Sequence, residues 1–248
     1  MKMPVACILP LQRMSVTADH VHVWPALLDI SPSEVARLEE TLAPDELSRA
    51  ARFRHAADRQ RFVTCRGRLR EILSRYAGEA PGALEFCYGP SGKPALKSAS
   101  RGTHPLRFNV SHSQGLAAIA IAHDREVGID IERFQEDFAW QEIAESFFFP
   151  EEVSVLHSLP VQDRYEAFLT AWTRKEACAK ARGDGLSLPL DQLEASPLPD
   201  ESWSFHPSRN PHEPSRWTHK TFTPLAGYAG ALAVEGTGWQ ITCGPWRE

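Results

Sequence analysis

Pro44-Asp45-Glu46-Leu47-Ser48 and Pro150-Glu151-Glu152-Val153-Ser154 stand 106 positions apart, and the way they match decides how the chain is read. Each opens with a proline followed by two acids, which suits a helix N-terminus. Proline lacks the N–H that would go unpaired there, and carboxylates meet the positive end of the helix dipole. In the same register Val21-x-Val23 lies over Val127-x-Ile129, Phe62-Val63-Thr64 over Phe168-Leu169-Thr170, and Arg68 over Arg174. After a slip of six residues, Gly115-Leu116-Ala117-Ala118 lies over Gly227-Tyr228-Ala229-Gly230. Several matches in one register predict an internal two-fold repeat.

Each copy has the same local grammar. A short strand opens it, at Val21–Trp24 and at Gly128–Glu132. After the proline-acid segment comes a long amphipathic helix. Its apolar stripe is Phe62, Leu69, Ile72, Leu73 and Tyr76 in the first copy, and Phe168, Leu169, Trp172 and Ala179 in the second. β-leaning segments close each copy, at Leu106–Val110 and Leu116–Ala122, then at Trp217–Phe222 and Tyr228–Val234. The expectation is an α+β fold made twice: a long helix packed on a small antiparallel sheet in each half, over residues 15–123 and 124–237. The Pro- and Ser-rich stretch Ser196–Ser215 reads as a loop.

Composition narrows the function classes. The 248 residues are 42% hydrophobic and 24% charged, which suits a globular chain with a real core rather than a disordered one. A net charge of −5 argues against a protein that coats nucleic acid. No apolar run is long enough for a transmembrane helix or a secretory signal, so neither a membrane nor export is expected. Five cysteines, at 7, 65, 87, 178 and 243, are odd in number and include no Cys-x-x-Cys pair. They predict neither a disulfide scaffold nor a zinc site, and a reducing cytoplasm follows as the expected setting. The charge is unevenly spread, however. Between Arg49 and Arg75 nine arginines face two acids, a net of +7 that leaves −12 for the remainder. Such a cluster forms either a solvated helix face or a surface for phosphates.

The copies differ where polar residues replace apolar ones. On the strand Gly128-Ile129-Asp130-Ile131-Glu132, Asp130 and Glu132 share one face, where the first copy carries the uncharged Trp24 and Ala26. Two adjacent carboxylates repel unless a cation lies between them, and oxygen ligands favour Mg²⁺ or Mn²⁺. An edge strand with a solvated acidic face would carry the same residues. Trp172, Glu176 and Lys180 recur every four residues along one side of the second long helix, and Gly183 is placed to cap it. Glu176 and Lys180 fit a surface ion pair as well as a site, although they lie close to the apolar stripe. Phe108-Asn109-Val110-Ser111-His112-Ser113, preceded by Ser91-Gly92-Lys93-Pro94, could supply donors to phosphate oxygens, or His112 could be structural.

Together these elements resemble the Sfp-type 4′-phosphopantetheinyl transferase family. Its hallmarks are a G-[IV]-D-x-E strand, matched by Gly128 to Glu132, and W-x-x-K-E-[AS]-x-x-K followed by G-x-G-L, matched from Trp172 to Lys180 and by Gly183-Asp184-Gly185-Leu186. Gly92-Lys93-Pro94, Phe108 to Ser113 and Phe148-Phe149-Pro150-Glu151-Glu152 also match family elements, and the likeness runs from about residue 20 to 235. The resemblance implies a monomeric pseudo-dimer with the active site in the cleft between its halves. It also implies transfer of 4′-phosphopantetheine from coenzyme A to a serine of an apo acyl or peptidyl carrier protein, releasing adenosine 3′,5′-bisphosphate.

By the same resemblance Asp130, Glu132 and Glu176 would hold Mg²⁺ (or Mn²⁺). Glu176 would act as base, directly or through a metal-bound water, and Lys180 would stabilise or protonate the leaving phosphate. Lys93, Ser111 and His112 would hold the coenzyme's phosphates, with Arg49, Arg54 and Arg61 as candidates for its 3′-phosphate. Phe147–Phe149 fits either a docking surface for a carrier helix or core packing. Two other readings use the same residues: a Mg²⁺-dependent nucleotide phosphohydrolase with water as nucleophile, and a binding module without turnover.

Overall fold

A strand, three helices and two strands follow one another twice along the chain. The computed structural model describes residues 13–97, 106–135, 138–183, 190, 193 and 216–243. The first pass runs β1 (His20–Leu27), α1 (Pro32–Glu39), α2 (Pro44–Ala50), α3 (Ala56–Ala77), a small hairpin of β2 (Phe86–Tyr88) and β3 (Pro94–Leu96), then β4 (Leu106–Ser113) and β5 (Leu116–His123). The second runs β6 (Val127–Arg133), α4 (Trp140–Phe147), α5 (Pro150–Ser158), α6 (Val161–Arg182), β7 (Trp217–Phe222) and β8 (Tyr228–Glu235), with β9 (Gln240–Cys243) after it. The expected proline-led helices begin at Pro44 and Pro150, and the stretch Ser196–Ser215 lies outside the described residues. Among the described residues no helix is long and apolar enough to cross a membrane.

Two sheets form, in the orders β4-β5-β1-β9 and β6-β8-β7. Every pairing in them is antiparallel except β1 with β9, which runs parallel, from His20 opposite Gln240 to Val23 opposite Cys243. The sheet holding the first-pass strands therefore ends on a strand from the far end of the chain, which the sequence pattern did not predict.

Side-chain alternation stacks these sheets into layers. One face of β1 and β5 (Val21, Val23, Leu116, Ala118, Ala120) packs against one face of β6 and β8 (Val127, Ile129, Ile131, Leu232, Val234) in a shared apolar core. On the opposite face of the first sheet, Trp24, Phe108, Ile119 and Ile121 meet Leu69, Ile72, Leu73 and Tyr76 of α3. On the opposite face of the second, Ala231 and Ala233 meet Ala177, Cys178 and Ala181 of α6. Thus each long helix covers the outer face of its own sheet, α3 with most of the predicted stripe; of the α6 stripe Ala179 joins this layer, whereas Phe168 and Leu169 pack against α4 and α5.

Small residues bring α6 very close. A Cβ on Gly128 would lie 2.0 Å from the Ala177 carbonyl oxygen and 2.3 Å from the Ala181 nitrogen. No residue other than glycine fits β6 there without pushing the helix away. Because Gly128, Asp130 and Glu132 share a face, this approach also sets how near the α6 side chains come to both carboxylates.

Candidate active site

Asp130 is buried, with 2% of its surface exposed, on the face of β6 that α6 covers. Lys180 Nζ donates to Asp130 Oδ1 at 2.5 Å and to Ser111 Oγ at 3.0 Å. Ser111 Oγ donates to the same Asp130 oxygen at 2.8 Å. The other carboxylate oxygen, Oδ2, is buried and has no hydrogen-bond partner among the described residues. An unpartnered buried carboxylate oxygen is costly, and a cation is the partner that would satisfy it.

Glu132 and Glu176 complete the acidic group. Burial is the main cause that pushes Glu132 up to about 7, aided by the negative charges of Asp130 and Glu176 and opposed by the Ser113 hydroxyl, which donates to Glu132 Oε2 at 2.8 Å. Glu176 is also raised, first by burial and then by Asp130, with Lys180 opposing. The carboxylates thus act on one another electrostatically, as a shared cation site requires. Among the described residues no three His, Cys, Asp or Glu side chains form a group that could hold a metal ion as they stand; Lys180 stands on Asp130 instead. The donor chemistry still fits a hard divalent cation: three carboxylates, oxygen ligands only, and one buried oxygen without a partner.

A cavity of about 620 Å³ has Arg49, Phe53, Arg61, Phe62, Arg66, Tyr88 and His112 in its wall, and none of the three carboxylates. A second recess of about 620 Å³ shares Arg49, Phe53, Phe62, Arg66 and Tyr88 and adds Asp45, Glu46 and Arg52. On β4 His112 lies on the opposite face from Ser111 and Ser113, at the cavity wall, yet the charges of Lys180, Arg49 and Asp130 act on it. Its ring is exposed at the cavity wall yet crowded there, and it is lowered by that crowding first, then by the charges of Lys180 and Arg49.

The remaining predicted residues divide. Arg49 is exposed on the cavity wall with its guanidinium over the Phe62 ring, 5.3 Å from the centroid. Arg61 also lines the wall, held in a two-point pair with Asp29 at 2.8 and 3.0 Å. Arg54 is exposed in the turn between α2 and α3 and lines neither recess. Lys93 points elsewhere: its ammonium donates to Glu126 Oε2, the Val127 carbonyl and the Ala181 carbonyl at 3.0, 3.1 and 2.8 Å. Those three bonds occupy its three donors and tie the β2–β3 turn to β6 and the end of α6.

Gly183 caps α6 as expected, in the left-handed conformation at φ 77°; Asp184-Gly185-Leu186 lies outside the described residues. Phe148 joins the core, stacked on Phe168 and Trp172, whereas Phe147 is exposed and meets Trp172 edge-on. Arg52, Arg66 and Tyr88 went unassigned in the sequence. Only the arginine cluster hinted at the first two, and nothing local marks Tyr88.

The chain is 38% identical over 230 residues to the 4′-phosphopantetheinyl transferase HetI of Nostoc, covering 92% of this chain and 93% of that one. The chain belongs to the 4′-phosphopantetheinyl transferase superfamily. The model of that superfamily matches residues 126–233, and a model of a 4′-phosphopantetheinyl transferase N-terminal region matches residues 29–124. The 4′-phosphopantetheinyl transferase Sfp of Bacillus subtilis is 30% identical over 164 residues, 66% of this chain and 70% of that one. The protein is therefore an enzyme, a 4′-phosphopantetheinyl transferase. The superfamily match spans the acidic strand, α6 and β8, while the N-terminal match spans the arginine-lined cavity.

Proposed function

We propose that this transferase moves the 4′-phosphopantetheine arm of coenzyme A onto a serine of an apo acyl or peptidyl carrier protein, leaving adenosine 3′,5′-bisphosphate. The observation that carries the proposal is the buried Asp130 with its unpartnered Oδ2, grouped with Glu132, Glu176 and Lys180, together with an arginine-walled cavity whose His112 feels the charges of Lys180 and Asp130. Residues 15–123 and 124–237 act as the halves of a pseudo-dimer, with the site in the cleft between them. A single chain then supplies the whole site, as a monomer working in the cytoplasm.

Asp130, Glu132 and Glu176 would hold Mg²⁺, or Mn²⁺ in its place; bound there, the ion would neutralise charge on the pyrophosphate during transfer. Arg49, Arg61 and His112 on the cavity wall bind the coenzyme's phosphates, and the fork of Arg61, already held by Asp29, is fixed in direction for this. Glu176, raised by burial and Asp130, accepts the proton of the carrier serine. Lys180 carries positive charge to the departing phosphate. Its lysine-to-carboxylate bond sets its position beforehand, so catalysis rests on placement and electrostatics.

Incubation of the protein with coenzyme A and Mg²⁺, with and without an apo carrier, tests this reading. Coenzyme A should be consumed only when the carrier is present. Equal consumption without carrier would show hydrolysis and contradict the transfer.

A further inference from the structure

We propose that Ser113 is a positioning residue for the transfer reaction, aiming the Glu132 carboxylate through a ladder of side chains that β4 builds along the open edge of β6. In the β6–β8 pairing, alternate amides of β6 face away from β8, and among the described residues no strand pairs with them on that side. Buried amides need acceptors, and β4 supplies them from side chains. Asn109 Oδ1 accepts from the Ile129 amide at 2.9 Å, Ser111 Oγ from Ile131 at 3.4 Å, and Ser113 Oγ from Arg133 at 3.2 Å. The two-residue step is the same on both strands, so the register is locked at three points.

Two rungs do more than satisfy an amide. A hydroxyl has one proton to give, and an amide held on its oxygen leaves that proton free to turn elsewhere. Ser111 gives its proton to Asp130 and Ser113 gives its own to Glu132, each at 2.8 Å. Ser111 also accepts Lys180, so it has no proton left for a phosphate. Asp130 is thus held by both a serine and a lysine, whereas Ser113 performs the serine's part for Glu132. The ladder converts strand register into carboxylate orientation, the kind of outer support on which metal ligands depend.

This inference rests on the reading of Glu132 as a metal ligand, and the test separates the two. Isothermal titration calorimetry of the full chain with Mn²⁺ alone, without coenzyme A or carrier, reads the site directly. Ser113→Ala should weaken Mn²⁺ binding about tenfold, and Ser113→Thr should restore it to within about twofold. Ser113→Ala combined with Glu132→Gln should bind no more weakly than Glu132→Gln by itself, because the serine acts through that carboxylate. Should Ser113→Ala melt far below the wild type, Ser113→Cys carries the same expectation, since it keeps the volume and donates weakly. Wild-type affinity in the alanine variant, or losses that multiply in the double variant, would overturn the proposal while leaving Glu132 a ligand. A wild type that binds no Mn²⁺, or that is indifferent to Glu132→Gln, would overturn both.

Discussion

Helix α3 places the Arg75 guanidinium over the Trp24 ring, 5.8 Å from its centroid; helix α6, whose residues match those of α3 105 positions on, one short of the register read from the sequence, places the Lys180 ammonium on Asp130. Both helices span 22 residues and end on a glycine in the left-handed conformation, Gly78 and Gly183. Their frames agree in finer detail. In the first half, Glu46 Oε2 accepts from the Ala43 amide at 2.9 Å and from the buried Arg70 at 2.7 Å, while Arg70 also donates to the carbonyls of Pro81 and Leu84. In the second, Glu152 Oε2 accepts from the Phe149 amide at 2.9 Å and pairs with the buried Lys175 at 2.8 Å, while Lys175 donates to the carbonyls of Leu190 and Leu193. A helix-capping glutamate, a buried cation and two carbonyls beyond the long helix thus recur as one device.

The next residue on each helix breaks the likeness. Glu71 pairs with Arg37 and Arg68, whereas Glu176 is raised by burial first and then by the charge of Asp130. The shared frame holds each helix against its sheet. Where the first strand carries Trp24 and Ala26 the second carries Asp130 and Glu132, with Gly128 letting the helix approach.

The sharpest way to break this contrast is to return the second half to a neutral strand. Asp130→Ala should lower the rate of carrier modification at least about 10²–10³-fold without changing the far-ultraviolet circular dichroism. Near-wild-type turnover would remove Asp130 from the machinery. The shared device predicts a stability effect instead. Lys175→Met takes the cation away from the buried Glu152 and should cost about 3–5 kcal/mol in urea unfolding. Lys175→Arg, which installs the cation that the first half uses, should cost a fraction of that; equal losses would mean the two devices are not equivalent.

Smaller effects should separate binding from chemistry. His112→Ala, at the cavity wall, should raise KM for coenzyme A by up to about tenfold while changing kcat less. An unchanged KM would make His112 structural. The smallest effect concerns His219 on β7, whose counterpart on β4 is Phe108. Burial, followed by the charge of Arg174, pulls His219 down to about 4 from 6.5. The unfolded chain therefore takes up this proton first, and the stability present above pH 6.5 drains away as pH falls towards 4. His219→Phe should flatten that decline in Tm relative to the wild type, whereas parallel curves would exclude His219 as its source.

Much of this frame was legible from periodicity and register. The proline-acid helix starts, the stripes of α3 and α6 and the paired closing strands follow local chemistry that one segment carries by itself. β9 was not legible, because Gln240–Cys243 is four residues long and its place is set by its neighbour β1 rather than by its own pattern. The acidic strand was readable as a departure from the repeat, and Glu176 from its four-residue spacing with Trp172 and Lys180. The serines were not, since a hydroxyl suits phosphate or carboxylate equally until its neighbours are in place. Lys93 and Lys175 show the same limit for cations: both are spent on backbone carbonyls that come together only in the folded chain.

Intact-mass spectrometry tests the central claim most directly. A panel of apo acyl and peptidyl carriers would be incubated with the protein, coenzyme A and Mg²⁺, then repeated with Asp130→Ala. The account predicts that at least one carrier gains a single phosphopantetheinyl group on its serine with the wild type and none does so with the variant. Unmodified carriers throughout, or equal modification by both proteins, would contradict it.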